Sequence, residues 1–189
     1  AVTQPADLVP HVGAGLRIEP GGGFVQEQDG RPVDDPGIWI GASSWGDKSW
    51  VGPLYPSPTP ATRFRERYPK YFNALELNGT HYAVYPPETL AQWALPAQGR
   101  RFRFCAKFPQ SISHYSGFVN IADVTRAFLD SLKGLGEDHL GPVFLQLPDS
   151  YAPARKQALF AYLASLPTDL DVFLELQIGR ASCRERVSS

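Results

Sequence analysis

Glu76, Lys107 and Glu175 fall late in apolar runs of the chain, and His114 follows one of those runs closely. Such groups can do chemistry if they converge. A lysine desolvated beside a carboxylate can act as a base, form a Schiff base or clamp an anion, and two carboxylates can divide acid and base work between them. His114 would gate or shuttle a proton, and Asn78 and Gln146 would orient a substrate. The competing reading of the same residues is an interior ion-pair network, Glu76 with Lys107, that only holds the fold together. His81 is a weaker candidate, since an isolated loop histidine usually makes ordinary hydrogen bonds; His11 and His139 read as bystanders. Trp45, Trp50, Tyr55, Tyr82 and Tyr85 cluster after the first two runs. Trp45 and Tyr82 are the candidates to stack on a substrate, and packing of the loop onto the body explains the cluster equally well. No H-x-x-x-H or H-E-x-x-H spacing occurs, and Cys105 and Cys183 are isolated, so no metal site is expected and no cofactor is identified.

The elements that must position these residues alternate in type. Runs rich in Ile, Val, Leu and Phe at 38–42, 74–78, 101–108, 142–147 and 171–176 are separated by helix-like stretches. Period-two geometry sends Leu75 and Leu77 to one face and Glu76 and Asn78 to the other. The same parity sets Arg103, Cys105 and Lys107 against Phe102, Phe104 and Ala106, Gln146 against Leu145 and Leu147, and Glu175 against Leu174 and Leu176. Among the helices, Ile121, Val124, Phe128, Leu132 and Leu135 share one face, with Asn120 as the expected cap and Gly136 just past the end. Leu159, Leu163 and Leu166 form a second such face. Pro86-Pro87 opens the helix that buries Leu90 and Trp93, and Pro69 should kink or end the helix begun at Pro60.

Strands joined by helical crossovers run parallel, which admits an open doubly wound sheet or a closed barrel. The units recur about every 33 residues, so eight would need about 265, near the roughly 250 of a (β/α)₈ barrel. No glycine-rich phosphate fingerprint follows the first strand. The expectation is therefore an α/β fold, a parallel TIM-type barrel of which this is the N-terminal part, about five of eight strands. In such a barrel, late strand positions lie at the C-terminal rim where sites form.

Composition narrows the class. The chain has 189 residues, 18 Lys+Arg against 19 Asp+Glu, 43% hydrophobic content and two cysteines, which fits a globular protein and argues against general nucleic-acid binding by charge. No apolar run approaches the roughly 20 residues that span a bilayer, and a cytoplasmic location is expected. Residues 1–36 read as a flexible Gly/Pro-rich leader, and the lack of any methionine suggests a missing or removed start. Residues 37–176 form the barrel domain. Residues 177–189 read as an adapter-derived, non-native tail, without which the net charge is −3.

Five ordered motifs carry a family resemblance. Ile38-Trp39-Ile40-Gly41-Ala42-Ser43-Ser44-Trp45 with Trp50-Val51-Gly52-Pro53-Leu54-Tyr55-Pro56, then Leu75-Glu76-Leu77-Asn78-Gly79-Thr80-His81-Tyr82, resemble the YecE-like family, domain of unknown function 72. The match continues through Phe104-Cys105-Ala106-Lys107-Phe108-Pro109, Ser111-Ile112-Ser113-His114 and Leu140-Gly141-Pro142-Val143-Phe144-Leu145-Gln146-Leu147-Pro148. His81 stands where an aromatic is usual. The resemblance implies a TIM-type barrel without an established activity, and members that continue past the position of Glu175 with an arginine-histidine element and further strands.

Three functional expectations follow. The first is a barrel enzyme, a hydrolase or lyase acting on a small polar or phosphorylated substrate, with Glu76, Lys107, His114 and Glu175 as its catalytic groups. The second is a nucleic-acid-binding or metal-dependent phosphodiester-cleaving protein, suggested by the aromatic loop. The third is an inactive fragment that self-associates through exposed sheet edges.

Overall fold

A computed structural model describes residues 38–176. The leader with His11, and the tail with Cys183, lie outside the described residues.

Five strands run parallel: β1 (Gly41–Ala42), β2 (Ala74–Leu77), β3 (Arg103–Ala106), β4 (Val143–Gln146) and β5 (Val172–Glu175). Each is shorter than its apolar run, because only the residues that find a neighbour keep ladder hydrogen bonds. β1, β2 and β3 form one sheet in that order, and β4 and β5 form a second. Bridges between Phe104 and Leu140 and between Lys107 and Phe144 carry the order across from β3 to β4. Strand neighbours in space are therefore strand neighbours in sequence. Between them come α1 (Phe64–Arg67), α2 (Gly79–Tyr82), α3 (Pro87–Ala94), α4 (Ala122–Leu132) and α5 (Lys156–Ser165), with short 3₁₀ turns.

The parity read from the sequence is the parity of the fold. Leu75, Leu77, Phe104, Ala106, Val143, Leu145 and Leu147 are buried against the helices, within a core that includes Leu90, Phe128, Leu132 and Leu159. Glu76 pairs in register with Cys105, and Gln146 with Glu175, so each pair shares the opposite, polar face. Phe144 and Phe173 also stand on that face, their ring centroids 5.9 Å apart. The two edges carry exposed apolar groups, Ile40 beside β1 and Leu174 and Leu176 at β5.

Local details follow from chemistry. The segment after Pro60 runs as a 3₁₀ turn, α1, and a second 3₁₀ turn over Tyr68–Lys70 that holds Pro69, so the proline ends the α-helical part as expected. The expected Asn120 cap is not made: Ile121 occupies the cap position of α4, without a side-chain cap bond, while Asn120 adopts a left-handed φ of 55°. Gly136 closes the 3₁₀ turn after α4 with φ 78°. Arg101, expected at the N-terminal rim, lies over the Trp39 ring, 4.3 Å from its centroid, with Arg103 at 5.6 Å. No helix among the described residues is long and apolar enough to cross a membrane.

One buried hydroxyl joins the first two strands. Tyr68 is fully buried; its hydroxyl accepts from the Ala42 amide at 2.6 Å and donates to the Ala74 carbonyl at 2.8 Å. Burial pushes its phenol well above the ordinary range. Replacing Tyr68 by Phe should cost about 1–3 kcal/mol, the penalty for stranding a buried backbone partner. Urea denaturation measures it, and an unchanged midpoint would show that this bond does not secure β1.

Candidate functional site

The site is assembled where the chain leaves β2 and β3. Beyond β2 the chain enters α2 at once, and Thr80 fastens that turn to β3. Its hydroxyl accepts from the Lys107 amide at 3.0 Å and lies 2.8 Å from the Lys107 carbonyl and 2.7 Å from that of Leu77. A single hydroxyl proton serves one carbonyl at a time. The result fixes Lys107 beside the residues that follow Glu76.

His81 is buried, 9% exposed, and its Nδ1 lies 2.9 Å from the Phe108 carbonyl oxygen. A carbonyl only accepts, so Nδ1 carries the proton and Nε2 of the neutral ring is left with a lone pair. After β3 the chain forms a five-residue π-helical turn, Ser111–Tyr115, a rare form that is frequent at functional sites. That turn carries His114, whose Nδ1 is 2.7 Å from the Ser113 hydroxyl. The His81 and His114 rings meet edge to face with centroids 5.0 Å apart. Tyr82 and Tyr115 bracket the pair, at 5.3 Å from His81 and 6.4 Å from His114, and both phenols are largely exposed.

Electrostatics ties the pieces into one locality. The Glu76 carboxyl is held above its ordinary range, chiefly by burial; the Lys107 charge opposes this, Glu175 adds to it, and the Asn78 amide lowers it. The His114 imidazole is lowered by burial, then by His81 and by Lys107. Burial, then the Glu76 charge, pushes the Cys105 thiol up to about 11, so it is unreactive as a thiolate. Glu76 thus feels the charges of Lys107 and Glu175, and His114 that of Lys107.

Lys107 does not form the expected structural ion pair. Among the described residues the salt bridges within 4.0 Å are surface i,i+3 pairs, and none involves Lys107, Glu76 or Glu175. Glu175 is exposed and accepts from the Gln146 amide at 2.8 Å. Asn78 donates to the Ser43 carbonyl at 3.2 Å, which ties β2 to the loop after β1.

The remaining candidates separate. Trp45 packs edge-on against Tyr68, Trp93 and Phe104 at 6.1–6.3 Å, so most of its ring serves the core. It also helps to line a cavity of about 170 Å³ together with Ser43, Ser44, Glu76, Asn78 and Gly79. Tyr82 is out at the rim. Trp50 and Tyr55 pack on each other at 5.9 Å and away from the polar face. His139 is bonded to the Phe102 carbonyl at 3.0 Å, at the N-terminal end of the strands. A larger hollow of about 610 Å³ lies at that end, between α3 and the turn before β4, and none of the polar-face groups lines it. His81 makes the ordinary hydrogen bond expected of a loop histidine, but to a carbonyl 27 residues away, which its sequence neighbours do not reveal. Among the described residues no group of three or more His, Cys, Asp or Glu could hold a metal ion.

The family profile described as "Protein of unknown function DUF72" matches residues 39–177. The chain belongs to the DUF72 family. It is 33% identical over 140 residues to UPF0759 protein YecE of Escherichia coli strain K12, an alignment that covers 74% of this chain and 48% of that protein. The DUF72 chain thus spans about half the length of the curated relative it matches. Its fold resembles a DUF72 protein of Thermotoga maritima MSB8, with TM-score 0.58 and 24% identity over 72% of this chain and 55% of the other. A DUF72 protein of Enterococcus faecalis V583 gives TM-score 0.57 and 20% identity over 74% and 50%. These likenesses show an α/β fold of parallel strands and helices.

Proposed function

We propose that this DUF72 chain is the N-terminal part of a TIM-type barrel whose C-terminal rim carries a hydrolase or lyase site for a small polar or phosphorylated substrate. Sequential order of parallel strands and the greater length of the relatives support the barrel. The observation that carries the chemistry is Glu76: a half-buried carboxyl on the polar face, raised by burial, with Lys107 in electrostatic range but not paired to it.

Such a carboxyl holds its proton to higher pH than an ordinary glutamate and can hand it to a leaving group, then take one back. Lys107 would stabilise the negative charge that develops on the substrate, where low dielectric makes an ammonium effective. Asn78 and Gln146 would orient substrate hydroxyls or carbonyls, Glu175 would supply the second carboxylate, and His114 would exchange protons with solvent. Trp45 would contribute an edge and Tyr82 a rim contact. A cytoplasmic setting belongs to the same proposal, supported by the free, buried Cys105.

The test is turnover. The protein is incubated with a panel of phosphate monoesters, hydroxy acids and small esters and amides, and products are followed by proton NMR. Conversion that requires both Glu76 and Lys107 supports the proposal; conversion untouched by Glu76→Gln and Lys107→Met contradicts it.

The exposed rings of Tyr82 and Tyr115 favour a second reading, nucleic-acid binding by base stacking. Phosphate-backbone binding weakens steeply with salt. Oligonucleotide affinity that is absent, or flat with salt, rejects this reading.

A further inference from the structure

We infer that His81, His114 and Lys107 together form a subsite for the phosphate group of a monoester, beyond the C-terminal ends of β2 and β3. This rests on the reading of the polar face as a substrate site, and it specifies which end of the substrate goes where.

The His81 and His114 rings are in contact and the Lys107 charge acts on His114, and among the described residues no salt bridge within 4.0 Å joins a carboxylate to any of the three. Lys107 is half-buried and makes no salt bridge within 4.0 Å among the described residues. An ammonium partly withdrawn from water gains from an anion in direct contact, and no carboxylate is in such contact with Lys107 among the described residues. The two imidazoles stand 5.0 Å apart, and each has Nδ1 engaged by the protein, by the Phe108 carbonyl and by the Ser113 hydroxyl. Their Nε2 atoms are therefore the ones left for a ligand. Protonated, both become donors, and charge-assisted N–H···O bonds of roughly 2.7–2.9 Å to a phosphate would satisfy them.

Two imidazoles and an ammonium gathered near one another gain from an anion placed between them, beyond what the Glu76 charge in the field of Lys107 supplies. The His114 imidazole is lowered chiefly by burial, and the His81 and Lys107 charges add to it. The other titratable groups around the cluster are the phenols of Tyr82 and Tyr115, which pack on the rings, and the Glu76 carboxyl in the field of Lys107. A dianionic monoester supplies two negative charges where a diester supplies one. With the phosphate held there, the rest of a small substrate reaches toward Glu76, Asn78 and the cavity of about 170 Å³ beside them.

Long-range proton–nitrogen NMR of the histidine rings in the full chain tests this, with inorganic phosphate titrated against chloride at matched ionic strength. The His81 and His114 signals should move together with one saturation curve, and the His114 midpoint should rise on phosphate binding. Lys107→Met and Lys107→Gln should each weaken binding by at least about tenfold, and His81→Phe should abolish the coupled shift of His114. Amide dispersion reports that each variant is folded, and the two lysine replacements guard against a packing artefact of either one. Ring signals that ignore phosphate, that follow chloride equally, or that shift undiminished in both lysine variants overturn the inference. Glycerol phosphate should compete with phosphate, and a short oligonucleotide competing more strongly would overturn the monoester assignment. If phosphate fails to bind while Glu76→Gln still abolishes turnover, the subsite is wrong and the catalytic reading stands; if phosphate binds and turnover ignores Glu76, the reverse holds.

Discussion

Replacing Glu76 by Gln is expected to lower turnover by about 10²–10⁴-fold, the range a positioned acid or base contributes. The amide keeps the shape of the side chain and its contacts with Asn78 and the adjoining cavity, so substrate affinity should change far less than kcat. The same replacement should stabilise the fold at neutral pH. The folded carboxyl titrates above its unfolded value, so the folded state holds the extra proton between those two pH values. Stability therefore falls as pH rises through that window, and the deficit is complete above it. Glutamine has no proton to lose, so Glu76→Gln should melt a few degrees higher at pH 7 and should match the parent in acid below the ordinary glutamate pKa of about 4.3. Scanning calorimetry across pH reads this directly. A variant that loses stability at neutral pH, or gains it equally in acid, would show that the carboxylate is compensated and ordinary.

Gly134→Ala should be strongly destabilising. Gly134 lies in the 3₁₀ turn Lys133–Leu135 that extends α4, and an added Cβ would sit 1.9 Å from the Pro87 carbonyl oxygen, 2.7 Å from its carbon and 3.0 Å from its Cα. All three are backbone atoms of the first turn of α3, so no side chain can swing aside. The end of α4 and the start of α3 would have to part, opening the layer that buries Leu90, Leu132 and Leu135. Overpacking typically costs about 1–3 kcal/mol, and the backbone obstruction puts this case at about 3 kcal/mol or above. At roughly 2–4 °C per kcal/mol for a chain of this size, the melting temperature should fall by about 6–12 °C. A shift within about 1 °C would mean that the two helices are not in this contact.

Much of the architecture could be read before any coordinates, and the reason is periodicity. Leu75 and Leu77 against Glu76 and Asn78 is a local alternation that the backbone alone dictates, and it places Lys107, Gln146 and Glu175 on the corresponding face of the later strands, although Phe144 and Phe173 share that face. Pro69 ended its helix because a missing donor acts locally. What required the fold was whatever depends on a distant partner. His81 gains its tautomer from the carbonyl of Phe108, and Trp45 becomes largely a core residue through Tyr68, Trp93 and Phe104. The Asn120 cap failed because the preceding loop takes left-handed backbone at Gly117, Phe118 and Asn120, while the Phe118 ring stacks on Tyr162 at 5.2 Å. Lys107 illustrates the limit most clearly: its place on the polar face followed from parity, but its lack of a carboxylate in contact is a matter of ångströms that no spacing rule reaches.

Glu76 and Lys107 share one partly desolvated locality without being locked together. Carbon-13 NMR titration of the Glu76 carboxyl, in the parent and in Lys107→Met, measures this. The account predicts a midpoint above the ordinary glutamate range that climbs further once the lysine charge is removed, because that charge is the chief influence lowering it. An ordinary midpoint that stays put in the lysine variant would contradict the account.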